Sequence, residues 1–332
     1  MSASVTSQIG DIIRGHQTFL VAGHIRPDGD VLACQIALGL TLQSLGKTVE
    51  VWNPDGMSRK YSFLPHADIV CRPPPAPRAF DVVIAVDTAT YDRLGNIRDR
   101  IASRKLLVNM DHHGSNARFG DINWIEPKAA ASGELVHQLL RDNNWPVTPA
   151  IAANLFVAIA TDTGSFQYSN TTPDTLRLAA DLVAAGANVG ELSRHCFENY
   201  PLARVRLLQL ALAGMKLSAD NRIGWTWLTK EMYRQSGALP EDSEGLIDHI
   251  RAIDSVLVAA VLEHDDSGIV RISLRSKSDK ISVDKIAAQF GGGGHTAAAG
   301  ARLPGEPAAV ETALLKAIEK AVRAADVAAA AR

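Results

Sequence analysis

The sequence has few of the features that mark secreted or membrane proteins. Its 332 residues contain only three cysteines, which stand far apart without a C-x-x-C pair and favour reduced thiols over a disulfide framework. No apolar run is long enough to cross a bilayer, and the N-terminus lacks the basic start and apolar core of a signal peptide. We therefore expect a cytoplasmic protein without a membrane partner.

An excess of positive charge is also missing. The 34 Lys and Arg residues are balanced by 36 Asp and Glu residues, which leaves a net charge of -2. Because long nucleic acids are bound largely through counterion release from an extended basic surface, this balance argues against a long-duplex partner. It leaves room for a local basic pocket that faces a small anion. The length suits two globular domains, each with its own core.

Short apolar runs alternate with helical patterns through the first half of the chain. The runs are rich in Val, Leu and Ile and predict buried parallel strands at 18–24, 48–53, 80–88 and 105–113. The segment 31–46 has helical periodicity and ends in Gly46, a residue suited to a helix C-terminus. This rhythm predicts a doubly wound parallel sheet, in which ligands bind at the carboxyl ends of the strands.

The second half of the chain has a different pattern of predicted helices and strands. It is mostly helical from 132 to 215, and then predicts strands at 222–230, 254–264 and 269–277, a short helix at 284–290 and a long alanine-rich C-terminal helix. We predict an α/β protein with a doubly wound N-terminal domain, a helical connector and a smaller α/β C-terminal domain. The predicted boundaries are 1–187, 188–214 and 215–332.

Acidic and histidine side chains follow the predicted strands directly. Burying several carboxylates together is unfavourable unless a cation neutralises them. Imidazole and carboxylate ligands without thiolates suit Mn²⁺, with Mg²⁺ or Zn²⁺ as alternatives. The acidic and histidine side chains are more numerous than one ion needs. Their number suits two ions that share a carboxylate, an arrangement used for displacement at phosphorus. These residues are His24, Asp28, Asp30, Asp87, Asp111, His112, His113 and, at the end of an apolar helix, Asp162.

Each of these residues also has an ordinary structural interpretation. Pro-Asp-Gly is common turn chemistry, and Asp28 or Asp30 could cap the helix that begins near Val31. His24 could be a strand-edge histidine with satisfied hydrogen bonds, and Asp87 could cap a turn. The metal hypothesis depends on their repeated occurrence at strand ends.

The order of these motifs resembles that of the DHH phosphoesterases. The motifs in the first half are HIRPDGD (24–30), VDTATYDRLG (86–95), DHHGSNARFGD (111–121) and ATDTGSFQYSNTTPDT (160–175). In the second half, SLRSK (273–277) and GGGGHTAAAG (291–300) are similar to the signature of the DHH-associated C-terminal domain. The resemblance is greatest to the NrnA-like subgroup, oligoribonucleases (nanoRNases) that also dephosphorylate 3'-phosphoadenosine 5'-phosphate.

The resemblance implies a metal-ligand set. One Mn²⁺ would be held by His24, Asp28 and Asp87, and a second by Asp30, Asp87, His112 and Asp162, so that Asp87 bridges. The resemblance also implies that the active site lies in the cleft between the two domains.

The resemblance also implies roles for residues beside the metals. Asp111 would orient an imidazole, and His113 would face the scissile phosphate or the leaving oxygen. Arg93 and Asn116 are candidates for supporting the phosphate, although either could be a solvated surface residue.

The glycine run predicts a phosphate site in the C-terminal domain. Backbone N–H groups of consecutive glycines can surround a phosphate because no Cβ blocks its approach, and a neighbouring arginine can bind it bidentately. A flexible glycine loop beside a solvated edge strand is the alternative interpretation. The candidate substrate-binding residues here are Arg251, Arg275, Ser276, Lys277, Gly292, Gly293, Gly294 and His295.

The sequence therefore predicts a two-metal phosphodiesterase and phosphatase, in which a hydroxide bridging the ions attacks phosphorus. Its substrates would be short oligoribonucleotides, hydrolysed to mononucleotides, and 3'-phosphoadenosine 5'-phosphate, hydrolysed to AMP. A RecJ-like single-strand exonuclease, a cyclic-dinucleotide phosphodiesterase and a nucleotide-binding regulator without catalysis are the alternatives. The sequence leaves the subunit number open, with a homodimer as one option.

Overall fold

The computed structural model describes residues 4–264 and 268–330. The chain divides into two compact units between Asn199 and Tyr200, each with its own six-stranded sheet. The division falls inside the segment predicted as a connector, whose limits at 188 and 214 stay a prediction. No helix in the described part of the chain combines the length and the apolar character needed to span a bilayer.

The first unit is built on a sheet whose neighbouring strands all run parallel, as the sequence predicts. Its strands are β1 (Thr18–Ala22), β2 (Thr48–Trp52), β3 (Val70–Cys71), β4 (Arg78–Val86), β5 (Ile101–Asp111) and β6 (Ile122–Ile125). Their order in the sheet is β3-β2-β1-β4-β5-β6. The chain thus winds in opposite directions from β1 and β4, and the crevice at their carboxyl ends is the usual ligand position in such sheets.

Six α-helices accompany this sheet: α1 (Val5–Gly15), α2 (Gly29–Ser44), α3 (Ser132–Asp142), α4 (Pro149–Asp162), α5 (Pro173–Ala184) and α6 (Val189–Ser193). A segment of 3-10 helix follows β4 at Tyr91–Arg100. Helices α2 and α4 are apolar around most of their circumference and are buried along most of their length. They pack against each other, which brings the N-terminus of α2 close to the end of α4 at Asp162.

The second unit has a mixed sheet in the order β11-β12-β10-β9-β8-β7. Its strands are β7 (Lys216–Leu217), β8 (Ile223–Leu228), β9 (Val258–His264), β10 (Ile269–Ser276), β11 (Gly293–Gly294) and β12 (Ala298–Pro304). Its helices are α7 (Leu202–Ala213), α8 (Lys230–Ser236), α9 (Leu246–Arg251), α10 (Val283–Ala288) and α11 (Pro307–Ala330). The three strands and the two helices predicted from the sequence in this unit are confirmed.

Strand β12 is the main element of this unit that the sequence pattern does not predict. It contains no Val, Ile or Thr and begins with Ala-Ala-Gly, a composition that disfavours strands. It forms because it pairs along its whole length with β10, whose alternating residues are buried. Tertiary pairing therefore decides its structure.

Candidate metal centre

The segment His24–Asp30 after β1 is both a turn and part of a polar cluster. Arg26 has a φ of 55°, and Asp28 caps α2 by accepting a hydrogen bond of 3.2 Å from the Val31 N–H. The Nδ1 atom of His24 lies 2.8 Å from the Ile25 carbonyl oxygen. Donation to that carbonyl leaves the Nε2 lone pair for a ligand. Nε2 lies 3.9 Å from Oδ2 of Asp28, so the turn and metal interpretations are compatible.

Asp87 lies between two histidines at the end of β4. Its Oδ2 atom is 3.5 Å from His24 Nε2, and its Oδ1 atom is 3.5 Å from His112 Nε2. The residue has a φ of 53°, and its N–H donates to the Met110 carbonyl oxygen over 2.9 Å. A left-handed non-glycine residue is uncommon and typically marks a functional constraint. Each oxygen of this buried carboxylate therefore faces a different imidazole.

A second set of carboxylates lies around His112. Its Nε2 atom lies 3.1 Å from Asp162 Oδ2 and 3.9 Å from Asp30 Oδ2, in addition to the contact with Asp87. Its Nδ1 atom is 3.2 Å from the Ala129 carbonyl oxygen, so its other ring nitrogen again faces the acidic side chains. Asp162 contributes from the last residue of α4.

Several groups of ligand-type atoms have all their atoms within 4.8 Å of one another, and two of them match the predicted ligand sets: His24, Asp28 and Asp87, and Asp30, Asp87 and His112. Ligand-to-ion distances of about 2.1 Å place neighbouring ligands about 3 Å apart. The measured separations of 3.1 to 3.9 Å are close to this value. Imidazole and carboxylate donors without a thiolate fit Mn²⁺ and related divalent ions. The structure therefore contains a candidate metal centre of two groups that share one carboxylate.

The electrostatics of the cluster favour a cation. Burial, reinforced by the charges of Asp87 and Asp162, raises the pKa of Asp28 and raises that of Asp30 further above its ordinary value. Burial also opposes the charge on Asp87, but its hydrogen bond with His24 and the neighbouring His113 and His112 outweigh it and hold its pKa far below the usual range. Burial lowers the pKa of His112, but its hydrogen bond to Asp162 and the charges of Asp162, Asp87 and Asp30 together raise it more. Protons or a divalent cation must therefore neutralise this site.

Asp111 orients the second imidazole of the DHH sequence. Its Oδ1 atom lies 2.7 Å from His113 Nδ1 and accepts a hydrogen bond from the His113 N–H over 3.2 Å. Its Oδ2 atom accepts a hydrogen bond of 2.6 Å from the side-chain amide of Asn116. Asp111 is fully buried, which fixes its orientation. Asn116 thus supports Asp111. A contact between Asn116 and a substrate phosphate stays a prediction.

Arg93 lies against the first group. Its Nη2 atom is 3.1 Å from His24 Nδ1, and its carbonyl oxygen accepts a hydrogen bond of 2.8 Å from the Ile25 N–H. These contacts place a guanidinium beside the candidate metal centre. A contact between Arg93 and a substrate phosphate stays a prediction.

The N-terminus of α3 contributes contacts that sequence reasoning missed. The N–H groups of Ser132 and Gly133 donate to Asp30 over 2.7 and 3.0 Å, and the Ser132 hydroxyl donates to Asp87 Oδ1 over 2.9 Å. Cys34 donates its thiol to Asp30 Oδ1 over 3.1 Å. A serine and a glycine opening a predicted helix was the available signal, but it did not reveal which carboxylates they would meet.

The glycine run of the second unit is partly strand. Gly293 and Gly294 form β11 and pair with Gly300 and Ala299. A Cβ on Gly292 would lie 2.1 Å from the Gly300 carbonyl oxygen, and the Gly292 N–H donates to the Ala287 carbonyl oxygen over 3.0 Å. Close backbone packing therefore accounts for at least one of these glycines. Phosphate binding by Gly292, Gly293, Gly294 and His295 stays a prediction.

The candidate cations of this unit lie on two neighbouring elements. Arg251 of α9 and Arg275 of β10 place their Nε atoms 3.3 and 4.0 Å from Oδ1 of Asp248. Lys277 donates its ammonium to the carbonyl oxygens of Ile253 and Asp254. Ser276 is buried, and its hydroxyl donates to the Ser278 carbonyl oxygen over 2.9 Å. Asp248 thus brings the two arginines together within the second unit.

Comparisons with known proteins find a matching domain family in each half of the chain. Residues 18–159 match the model of the DHH family, N-terminal domain, and residues 226–324 match that of the DHHA1 domain. The bifunctional oligoribonuclease and PAP phosphatase NrnA of Thermus thermophilus is 32% identical over 289 residues, which cover 86% of this chain and 84% of that protein.

Two solved structures share the fold. An exopolyphosphatase-related protein from Bacteroides fragilis aligns with a TM-score of 0.85 at 23% identity, over 97% of each chain. RecJ from Thermus thermophilus in complex with Mn²⁺ aligns with a TM-score of 0.51 at 16% identity, over 96% of this chain but only 54% of RecJ. The two-unit α/β architecture is therefore that of known proteins.

Proposed function

The chain belongs to the DHH family and carries a DHHA1 domain, and from this premise we propose that it is a metal-dependent hydrolase of short oligoribonucleotides and of 3'-phosphoadenosine 5'-phosphate (PAP). The observation that carries the proposal is the position of Asp87, whose two oxygens face the histidines of two adjacent ligand groups. A binding protein without catalysis has no need for this shared carboxylate. The substrates are inferred from the similarity to the Thermus thermophilus oligoribonuclease and PAP phosphatase.

We propose that the two groups hold two divalent cations, with Mn²⁺ as the first choice and Mg²⁺ as the alternative. The ligands would be His24, Asp28 and Asp87 for one ion, and Asp30, Asp87, His112 and Asp162 for the other. Such ions, when bound, lower the pKa of water and neutralise charge on phosphoryl oxygens. The donor set supports this assignment.

His113 would act beside the metals. Burial lowers the pKa of His113, but its hydrogen bond to Asp111 and the charges of Asp87 and Asp111 raise it more. A protonated imidazole in a fixed orientation can donate a hydrogen bond to a phosphoryl oxygen or a proton to the leaving oxygen. Asp111 holds the ring in that orientation through Nδ1.

The second unit would bind the rest of the substrate. Arg251 and Arg275, grouped by Asp248, can bind a terminal phosphate, and the DHHA1 match covers Arg275 and Lys277. A net charge of -2 is compatible with a substrate of a few nucleotides and disfavours a long strand. A nucleoside bisphosphate or the end of a very short RNA presents the required phosphates.

A turnover panel in Mn²⁺ tests this function. It would compare a 5'-phosphorylated RNA dinucleotide, a long RNA, single-stranded DNA, PAP and pyrophosphate. We expect rapid release of mononucleotides from the dinucleotide, release of phosphate from PAP, and slow action on long strands. Preference for long DNA would contradict the proposal in favour of a RecJ-like exonuclease. Absence of turnover despite bound Mn²⁺ would favour a nucleotide-binding regulator.

Chelation provides a second prediction. Removing divalent ions with EDTA and dialysis should abolish turnover, and adding Mn²⁺ should restore it. Burial, together with the charges of Asp87 and Asp162, raises the pKa values of Asp28 and Asp30, so a cation bound there should stabilise the folded protein. Mn²⁺ should therefore also raise the melting temperature, by several degrees at saturating concentrations. Differential scanning calorimetry with and without Mn²⁺ measures this. A melting temperature that does not respond to Mn²⁺ would contradict the metal centre.

Asp28→Asn should separate the two roles of the turn. Asparagine caps a helix as well as aspartate, so α2 should be retained. A carboxyl whose pKa is raised by folding favours the folded state below its unfolded pKa, and that contribution is lost as the pH rises through the folded pKa. At pH 7 the uncharged amide should therefore stabilise the metal-free protein slightly, by about 1 °C, because the side chain is 46% exposed and water screens its charge.

The same variant should lose at least about tenfold in Mn²⁺-dependent turnover, since one metal ligand is removed. Thermal melts of the metal-free protein and turnover assays would be run on the same preparations. Asp174→Asn, an exposed aspartate in the first turn of α5, is the matched control. An Asp28→Asn protein that keeps full Mn²⁺-dependent activity would show that Asp28 is only a helix cap.

A further inference from the structure

We propose that Ser132 is a positioning residue that fixes Asp30 and Asp87, two of the three acidic ligands of the second metal group; this inference depends on the metal centre of the proposed function. Ser132 belongs to none of the motifs that resemble the DHH phosphoesterases, and it is fully buried. Its hydroxyl donates to Asp87 Oδ1 over 2.9 Å, and its N–H donates to Asp30 Oδ2 over 2.7 Å. One residue thus contacts both carboxylates.

The backbone contacts arise from the beginning of α3. The first N–H groups of a helix have no partner within the helix and carry partial positive charge. Ser132 and Gly133 open the 11-residue helix α3, and both direct their N–H groups at Asp30. With the Cys34 thiol as a third donor, Asp30 is held at both oxygens. This leaves little freedom in how Asp30 can face a cation.

The hydroxyl contact fixes the rotation of Asp87. The Oδ1 atom of Asp87 accepts a hydrogen bond from the Ser132 hydroxyl and lies 3.5 Å from His112 Nε2. The Oδ2 atom of Asp87 faces His24. A partial rotation of the carboxylate about its Cβ–Cγ bond would move its oxygens away from the two histidines. The Ser132 hydroxyl therefore selects the orientation in which each oxygen serves one metal group.

Packing keeps the helix start in place. A Cβ on Gly133 would lie 2.8 Å from the Cβ of Ala158, which shows that α3 approaches α4 closely at this point. Helix α4 ends at Asp162, the third acidic ligand of the second group. Ser132, Gly133 and Asp162 are therefore carried by two tightly packed helices, which makes the hydroxyl a fixed support.

Mn²⁺ titrations test this role without measuring turnover. Ser132→Ala removes one hydroxyl, and its neighbours lose no packing except at that atom, so the protein should stay folded. We expect Mn²⁺ affinity to fall about 10- to 100-fold in at least one of two sites, as is common when a group that holds a metal ligand is lost. Calorimetry would give the affinities, and electron paramagnetic resonance would show whether the coupling between the two Mn²⁺ ions changes.

Ser236→Ala is the matched control. Ser236 is also buried, but it lies in the second unit and its hydroxyl donates to the Met232 carbonyl oxygen over 2.7 Å. This variant should bind Mn²⁺ like the unchanged protein. If the unchanged protein binds two Mn²⁺ and Ser132→Ala binds them with the same affinities and coupling, the inference about Ser132 is wrong. If the unchanged protein does not bind two Mn²⁺, the proposed metal centre itself is contradicted.

Discussion

Asp87→Ala is expected to abolish hydrolysis of a 5'-phosphorylated RNA dinucleotide in Mn²⁺. The residue is the only ligand-type side chain shared by the two groups proposed to hold metal. Its loss should therefore weaken the binding of both ions at once. Each ion supplies several kcal/mol to phosphoryl transfer, and about 1.4 kcal/mol corresponds to a tenfold change in rate. We therefore expect a fall of about 10³-fold or more in single-turnover rate.

Asp87→Asn is the companion variant, because the left-handed backbone at Asp87 penalises alanine. Asparagine tolerates a φ of 53° and keeps the shape of the side chain while removing the charge. Circular dichroism should show both variants folded. Asp99→Asn, which changes an exposed aspartate of the segment Tyr91–Arg100, should retain normal rates. An Asp87→Asn protein within tenfold of the normal rate would contradict the assignment of two metals that share this carboxylate.

Much of the candidate site could be predicted from the sequence because of one physical rule. In a doubly wound sheet, the carboxyl ends of parallel strands meet at the same edge, so residues far apart in sequence converge there. His24 follows β1, Asp87 follows β4 and His112 follows β5. A polar residue directly after an apolar strand is therefore informative about distant neighbours. The measured distances among these residues agree with that expectation.

The supporting contacts could not be predicted in the same way. Asp30 is held by backbone N–H groups of Ser132 and Gly133, and a backbone group leaves no residue-type signal. The choice of His113 as the imidazole bound by Asp111 depends on the local turn. The pairing of Gly293 and Gly294 with β12 depends on close backbone approach. Such features follow from the packing of elements, which residue patterns describe only indirectly.

The position of His113 leads to a prediction that separates catalysis from metal binding. His113→Gln should lower kcat by about 10²- to 10⁴-fold, the range typical for losing a general acid or base, while KM changes little. Its Nδ1 atom is engaged by Asp111 at 2.7 Å, so glutamine cannot reproduce a protonated ring held in this orientation. Mn²⁺ stoichiometry, measured by calorimetry, should be unchanged. His137→Gln on α3, which lies outside both ligand groups, should retain normal kinetics.

Geometry also offers a competing role that this experiment can detect. Ligand-type atoms of Asp87, Asp111 and His113 lie within 4.8 Å of one another, so His113 could in principle serve as a metal ligand. We favour the role beside the metals because the hydrogen bond between His113 Nδ1 and Asp111 places a proton on that nitrogen, and a protonated nitrogen cannot bind a metal. If His113→Gln loses a Mn²⁺ ion together with its activity, His113 is a ligand and the proposed proton-donating role is wrong. If it keeps both ions and loses only kcat, the imidazole acts on the substrate.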